Sequence, residues 1–295
     1  MPTLRQASER VQLNIPFART IRQQNGVRPS LDIPIQCALR LTEVQFATLP
    51  AHELFNSLDH LPEEDILLTN PQHLSIAIIG GTGALGSGLA LRWALAGHRI
   101  IVGSRTQERA EEAVNTLRST LDARGIDAKK VIALDNVAAA AEADLCVLTV
   151  PYDHQLTTLT AIAPHLSGKI LIDVTVPLRP PKVGTVQLPS MGSAGQEAQN
   201  HLGDDVNVVS AFQNVAAHHL QGEGDIDCDV LVCGNSKEAR ETVVALVAQC
   251  GLRGFSAGPI ANAAAAEALT SVLITLNRQF KSHTGIRITG TEPSH

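Results

Sequence analysis

The chain has 295 residues, is 44% hydrophobic and 3% aromatic, and carries a formal net charge of −6. That length buries a sizeable core and accommodates more than one domain. The mildly acidic balance and the scarcity of rings argue against a basic nucleic-acid surface or a base-stacking platform. No stretch reads as a signal peptide or as a run long enough to cross a membrane.

Residues 1–30 form an arm with Arg5, Arg10, Arg19, Arg22 and Arg28 against a single acid, Glu9. Residues 31–70 invert the balance, with Asp32, Glu43, Glu53, Asp59, Glu63, Glu64 and Asp65 against Arg40. Two readings compete for this stretch, a flexible leader and a small appendage. Its aliphatic content, as in Ile33-Pro34-Ile35 and Ile66-Leu67-Leu68, favours a partly ordered appendage. The expected organisation is therefore an arm and appendage over 1–73, a nucleotide-binding domain over 74–203 and a C-terminal part over 204–295.

The organising stretch is 74–105. An apolar run, Ile76 to Ile79, suits a buried parallel strand. It leads into Gly81-Thr82-Gly83-Ala84-Leu85-Gly86, which fits the dinucleotide fingerprint G-x-G-x-x-G. A helix over about Ala84 to Ala96 follows, with Gly97 as its C-cap and His98 to Gly103 as the next strand. Gly81 permits the tight turn, Gly83 leaves room for a pyrophosphate, and Gly86 lets the helix pack close to the sheet. The diphosphate would rest on free amides at the helix N-terminus.

The second strand ends in Ser104-Arg105, where an NAD site usually carries an Asp or Glu for the ribose diol. A guanidinium there makes bidentate contact with a 2′-phosphate, with Ser104 donating beside it, Arg109 one helical turn on and Thr82 within reach. These residues favour NADP(H) over NAD(H). The alternative for Arg105 is a solvated surface charge.

Beyond this, helices over about Gln107–Arg124, Ala138–Ala143 and Gln155–Leu166 alternate with strands at Lys130–Leu134, Leu145–Val150 and Lys169–Thr175. This rhythm gives a Rossmann-type, doubly wound, mostly parallel α/β sheet with helices on both faces, followed by a smaller C-terminal domain. Val150-Pro151 lies at a strand's carboxyl end, so Tyr152 and His154 border a nicotinamide or, alternatively, form a capping turn around Asp153. Asp173 to Pro177 has the same geometric claim. Residues 178–203 read as a loop with helical character around Gly195 to Leu202. Val206–Phe212 and Cys228–Gly234 read as strands. Ser236 caps a helix running to Cys250, and an alanine-rich helix runs from Ala261 to about Phe280. The cysteines Cys37, Cys146, Cys228, Cys233 and Cys250 are odd in number with no C-x-x-C pair. They point to buried thiols in a reducing, cytoplasmic setting. His218 and His219 are adjacent and do not share a helix face, and no H-E-x-x-H or other metal cluster is seen.

Several ordered segments resemble the NADPH-dependent coenzyme F420 reductases, or F420H2:NADP oxidoreductases. They are Ile79-Gly-Gly-Thr-Gly-Ala-Leu-Gly86, Val102-Gly-Ser-Arg105, Leu148-Thr-Val-Pro-Tyr-Asp-His154, Val209-Ser-Ala-Phe212, Val232-Cys-Gly234, Ala257-Gly-Pro259 and His283-Thr-Gly-Ile-Arg-Ile-Thr-Gly290. They span residues 74–290. The resemblance implies a homodimer that binds NADP and takes F420 into a cleft against the nicotinamide, with Thr82, Ser104 and Arg105 on the phosphate and Pro151 near the nicotinamide. It also implies that Val209 to Ala217 faces the deazaflavin. The chain departs from the archaeal pattern there, with Gln213 for a histidine and Ala216 for a proline.

Direct hydride transfer needs two rings held close and dry, with no nucleophile and no metal. Gln213, Asn214 and His218 are candidate orienting residues for a deazaflavin carbonyl. The competing readings are an NADPH-dependent reductase of a flavin, a ferric chelate or a small carbonyl compound, and a non-catalytic NADP-binding partner protein.

Overall fold

The computed structural model describes residues 73–222 and 224–291. The arm and appendage expected over 1–73, and Cys37 with them, lie outside the described residues apart from His73. Eight strands form one sheet in the order β3-β2-β1-β4-β5-β6-β7-β8. They are β1 Ser75–Ile79, β2 Arg99–Ser104, β3 Val131–Asp135, β4 Leu145–Leu148, β5 Ile170–Asp173, β6 Asn207–Ser210, β7 Asp229–Gly234 and β8 Arg253–Ser256. The first six run parallel; β7 is antiparallel to β6 and parallel to β8. Residues 74–203 and 204–291 thus contribute to the same sheet, the latter by adding β6, β7 and β8 to one edge.

The helices are α1 Ala84–Leu95, α2 Gln107–Ala123, α3 Asn136–Glu142, α4 Gln155–Ile162, α5 Ala194–Leu202, α6 Lys237–Gln249 and α7 Ala263–Phe280. Alternation along the central strands splits the core over the two faces. Ile76, Ile78, Ile100 and Val102 pack with Trp93 of α1 on one side. Ala77, Ile79, Ile101, Cys146 and Leu148 pack with α3 and α4 on the other. Both faces are covered, so these strands are apolar throughout rather than alternating.

The capping residues behave as their chemistry dictates. Asp135 accepts the N–H groups of Val137 and Ala138 at 2.9 Å each and starts α3. Ser236 accepts the Ala239 N–H at 3.1 Å and starts α6. Gly97 and Gly125 close α1 and α2 with φ of 94° and 72°, the left-handed region that favours glycine. The four described cysteines, Cys146, Cys228, Cys233 and Cys250, are all free and buried.

Two features lie outside the sequence expectations. Residues 253–256, for which the sequence offers no strand signal, form β8 by parallel pairing with β7, with Gly254 against Val247 of α6. The expectation of no run long enough to cross a membrane also fails by length and composition. Ile260–Phe280 meets that criterion with a mean hydropathy of 1.3. Its environment differs from a span: Glu267 and Ser271 are buried on the helix face that packs inward, and the helix packs against α5.

Candidate functional site

The carboxyl ends of β1, β2, β4 and β5 open onto one cleft of about 580 Å3. The strand order reverses direction of growth between β1 and β4, which is where open α/β sheets bind ligands. Thr82, Gly83, Ala84, Leu85, Gly86, Ser104, Arg105, Arg109, Val150, Pro151 and His154 all line this cleft. Gly81 lies beneath it and donates its N–H to Ile78 O at 3.1 Å and Gly103 O at 3.0 Å.

The turn is built on a residue that the fingerprint does not count. Gly80 adopts a φ of 73°, and a Cβ there would come within 2.5 Å of Val150 Cγ1. Its N–H is donated to Asn136 Oδ1 at 3.2 Å. A Cβ on Gly86 would meet Thr149 Oγ1 at 2.8 Å and Gly81 Cα at 2.9 Å, so the helix crosses the strand in contact. A Cβ on Gly83 would meet nothing within 4 Å, so the space above Gly83 is open to a ligand.

The α1 N-terminus is prepared for an anion. Gly83 is its N-cap, with no side-chain cap hydrogen bond and no acid in the first turn. The first amides are therefore unpaired and carry the positive end of the helix dipole. No carboxylate lines the cleft, whereas Arg105 and Arg109 stand at the β2 end. The amide donors, the open approach at Gly83 and the two guanidinium groups fit a phosphorylated dinucleotide.

At the other end, Tyr152 donates its hydroxyl to Glu197 Oε2 at 2.7 Å, and the Arg179 guanidinium lies 5.6 Å from the centre of its ring. Burial, then the bond and charge of Glu197, push the Tyr152 hydroxyl above the usual tyrosine range. Asp153 makes no capping bond: Pro151 and His154 are the caps of this segment.

Beneath the floor lies a polar layer. Asp173, at the end of β5, is fully buried; its Oδ1 accepts the Thr175 N–H at 2.9 Å and its Oδ2 accepts from Gln155 Nε2 at 2.5 Å. Burial raises the Asp173 carboxyl above the ordinary range, against the pull of these donors. Gln213 belongs to this layer: its Nε2 donates to Asp173 O at 3.0 Å and Ser210 Oγ at 2.7 Å.

Gln213, Asn214 and His218 do not line the dinucleotide cleft. Gln213 and Asn214 are buried. Asn214 and His218 instead border a separate cavity of about 550 Å3 with His219, Asp227, Cys228 and His283. The His218 ring lies 3.9 Å from that of His219 and 3.8 Å from that of His283. Among the described residues no group of side chains is suited to hold a metal ion.

Sequence reasoning missed Asn136, Thr149 and Thr158 as cleft-lining residues. Asn136 was within reach of the same argument that found Pro151, because it follows the carboxyl end of β3. Glu197 and Glu267 carried no local signal, since their partners are distant in sequence.

A parallel sheet with this glycine turn, an uncapped helix N-terminus and a cationic strand end defines a dinucleotide-binding protein of the Rossmann class. The family model described as NADP oxidoreductase coenzyme F420-dependent matches residues 75–177. The F420-dependent NADP reductase of Methanocaldococcus jannaschii is 43% identical over 225 residues, covering 74% of this chain and 100% of that protein. The protein of the same name from Methanothermobacter marburgensis is 38% identical over 223 residues, covering 73% and 98%. A crystal structure described as a candidate F420-dependent NADP reductase from Arthrobacter sp. FB24 superposes with a TM-score of 0.60 at 26% identity, covering 73% of this chain and 100% of that one. The chain belongs to the family of F420-dependent NADP reductases.

Proposed function

We propose that the chain transfers a hydride directly between C4 of the nicotinamide of NADP(H) and C5 of the deazaflavin of coenzyme F420. The observation that carries this reading is the strand end at Ser104-Arg105, set in a carboxylate-free cleft against an uncapped helix N-terminus, in a chain of this family. The two coenzymes supply the redox chemistry, hydride with its electron pair from one ring to the other and a proton taken up to balance the reduced deazaflavin. The protein supplies position and exclusion of water.

Thr82, Ser104, Arg105 and Arg109 hold the 2′-phosphate, and the amides from Gly83 to Gly86 hold the diphosphate. Val150, Pro151 and His154 border the nicotinamide. Gln213 acts from below, fixing the end of β5 through Asp173 O rather than touching a ring. Asn214 and His218 border the separate cavity and take no part in holding the acceptor ring. The exposed apolar side chains of Val272 and Phe280 on α7, and of Val186, Leu188 and Met191 on the loop between β5 and α5, support a homodimer formed through these residues. Four free, buried thiols fit a reducing, cytoplasmic setting.

The reading is tested with NADPH deuterated at C4 of the nicotinamide. Deuterium recovered at C5 of the reduced deazaflavin, without loss to solvent, supports direct transfer. Deuterium washed out into water overturns it.

A further inference from the structure

We infer that Arg179 recognises an anionic group on the side chain of the second substrate. This rests on the F420 reading and names the residue that would select the acceptor by charge. Arg179 follows Leu178, which lines the cleft, and its guanidinium lies over the ring of Tyr152, which lines it too. It follows β5, three strands across the sheet from β2, which Arg105 and Arg109 follow. Its side chain is exposed and forms no ion pair with any described residue. Tyr152 contacts it through ring and hydroxyl, which orients a guanidinium without neutralising its charge.

The tyrosine is itself anchored. Glu197 takes the Tyr152 hydroxyl at 2.7 Å and sits on α5, whose first turn is tied to α7 by Glu267. Arg179 therefore rests on a braced platform, with the Tyr152 hydroxyl as a hydrogen-bonding neighbour and no ion pair to a described carboxylate. Lys182 lies three residues on and is also exposed, so the same loop adds a second positive charge. The cleft lining itself carries no carboxylate, and Glu197, the acid bonded to Tyr152, is engaged by the tyrosine hydroxyl. A dinucleotide held at the Arg105 end leaves this cation for the partner molecule. The chemistry it fits is a phosphodiester or a carboxylate, which a planar guanidinium holds with two parallel hydrogen bonds.

The test uses the full chain and three acceptors: F420 with its phosphodiester and glutamate groups, the same molecule without glutamates, and the deazaflavin precursor whose ribityl side chain is neutral and lacks both. Arg179→Ala is expected to raise KM for F420 about tenfold, with kcat and KM for NADPH within about twofold. The neutral acceptor, already weaker with the wild type, is expected to show the same KM in wild type and variant. Arg179→Lys should recover part of the loss, and the salt dependence of KM for F420 should flatten in Arg179→Ala. A tenfold effect that persists without the glutamates assigns the phosphodiester or the carboxylate beside it; an effect lost without them assigns a glutamate carboxylate. Equal changes for charged and neutral acceptors, or no change for any, overturn the proposal. Failure of the F420 reading is separately visible, as no turnover of any of the three by the wild type, and overturns this proposal with it.

Discussion

Glu267 on α7 accepts the backbone N–H of Ala194 at 2.7 Å, and its second oxygen accepts the Gly195 N–H at 3.0 Å. A helix far along the chain thus supplies a cap for α5 in addition to the local one from Ser193. Gly195 makes the approach possible, since a Cβ there would lie 3.1 Å from Ser210 Cβ and 3.2 Å from Ile260 Cδ1. Burial, and to a lesser degree the charges of Asp173 and Glu197, push the Glu267 carboxyl up to about 8, against the pull of the Gly195 and Ala194 donors.

That shift has a sign that can be checked. The folded state holds this proton up to about pH 8, whereas an unfolded glutamate releases it near 4.5. The folded chain therefore binds more protons in between, and the contribution to stability is full below pH 4.5 and is lost as pH rises through 8. Glu267→Gln is expected to flatten the fall of Tm between pH 5 and 8 and to retain the fold. Glu267→Ala leaves two buried donors unpaired and is expected to cost about 2 kcal/mol or more in urea unfolding. An unchanged pH slope in Glu267→Gln would contradict the account of this group.

Replacing Arg105 separates the two nicotinamide coenzymes. Charge-assisted bonds to a phosphate contribute about 1.5–3 kcal/mol. Arg105→Ala should therefore raise KM for NADPH roughly 10- to 100-fold and leave KM for NADH nearly unchanged. A loss of the same size with both coenzymes would mean that Arg105 supports the fold rather than the 2′-phosphate.

Two glycines of the same loop should respond differently to one methyl group. Gly86→Ala drives a Cβ into Thr149 Oγ1 and the Gly81 backbone, and is expected to lower Tm and abolish NADPH binding together. Gly83→Ala meets no protein atom within 4 Å. It should keep the wild-type Tm and weaken NADPH binding alone, as measured by calorimetry, because the methyl occupies the approach of the diphosphate. Wild-type affinity in Gly83→Ala would show that the diphosphate does not pass over that residue.

Arg92 is buried on α1 and donates to three carbonyls, Leu220 O at 3.0 Å, Gly224 O at 2.7 Å and His219 O at 3.2 Å. It fastens the dinucleotide helix to the turn that follows β6. Arg92→Ala strands these acceptors and should destabilise the chain by about 3 kcal/mol. Arg92→Lys, with one donor group in place of the fork, should recover less than half of that. Unfolding midpoints in urea measure both.

The dinucleotide half was legible because its signals are local. The run Ile76–Ile79, the glycines and Ser104-Arg105 are each set by neighbours within a few residues, and the structure puts β1, α1 and β2 within one or two positions of the expected bounds. β8 was missed because Arg253-Gly-Phe-Ser256 has no apolar run and is a strand through its pairing with β7. Gln213 reads from sequence as a polar group at a strand end facing ligand. Its burial under Asp173 O follows from the turn after β6, where Phe212 takes a φ of 71° with its ring 5.9 Å from that of Trp93. The long-range pairs Tyr152–Glu197 and Glu267–Ala194 depend on how α5 and α7 meet, and no spacing in the chain encodes that.

The most direct test of the central claim is anaerobic mixing of the purified full chain with F420 and either NADPH or NADH, following the deazaflavin absorbance. Rapid bleaching with NADPH, and far slower bleaching with NADH, is the result predicted by hydride transfer from a coenzyme held at Arg105. Tight NADPH binding with no bleaching would contradict it and assign the cleft to a different acceptor.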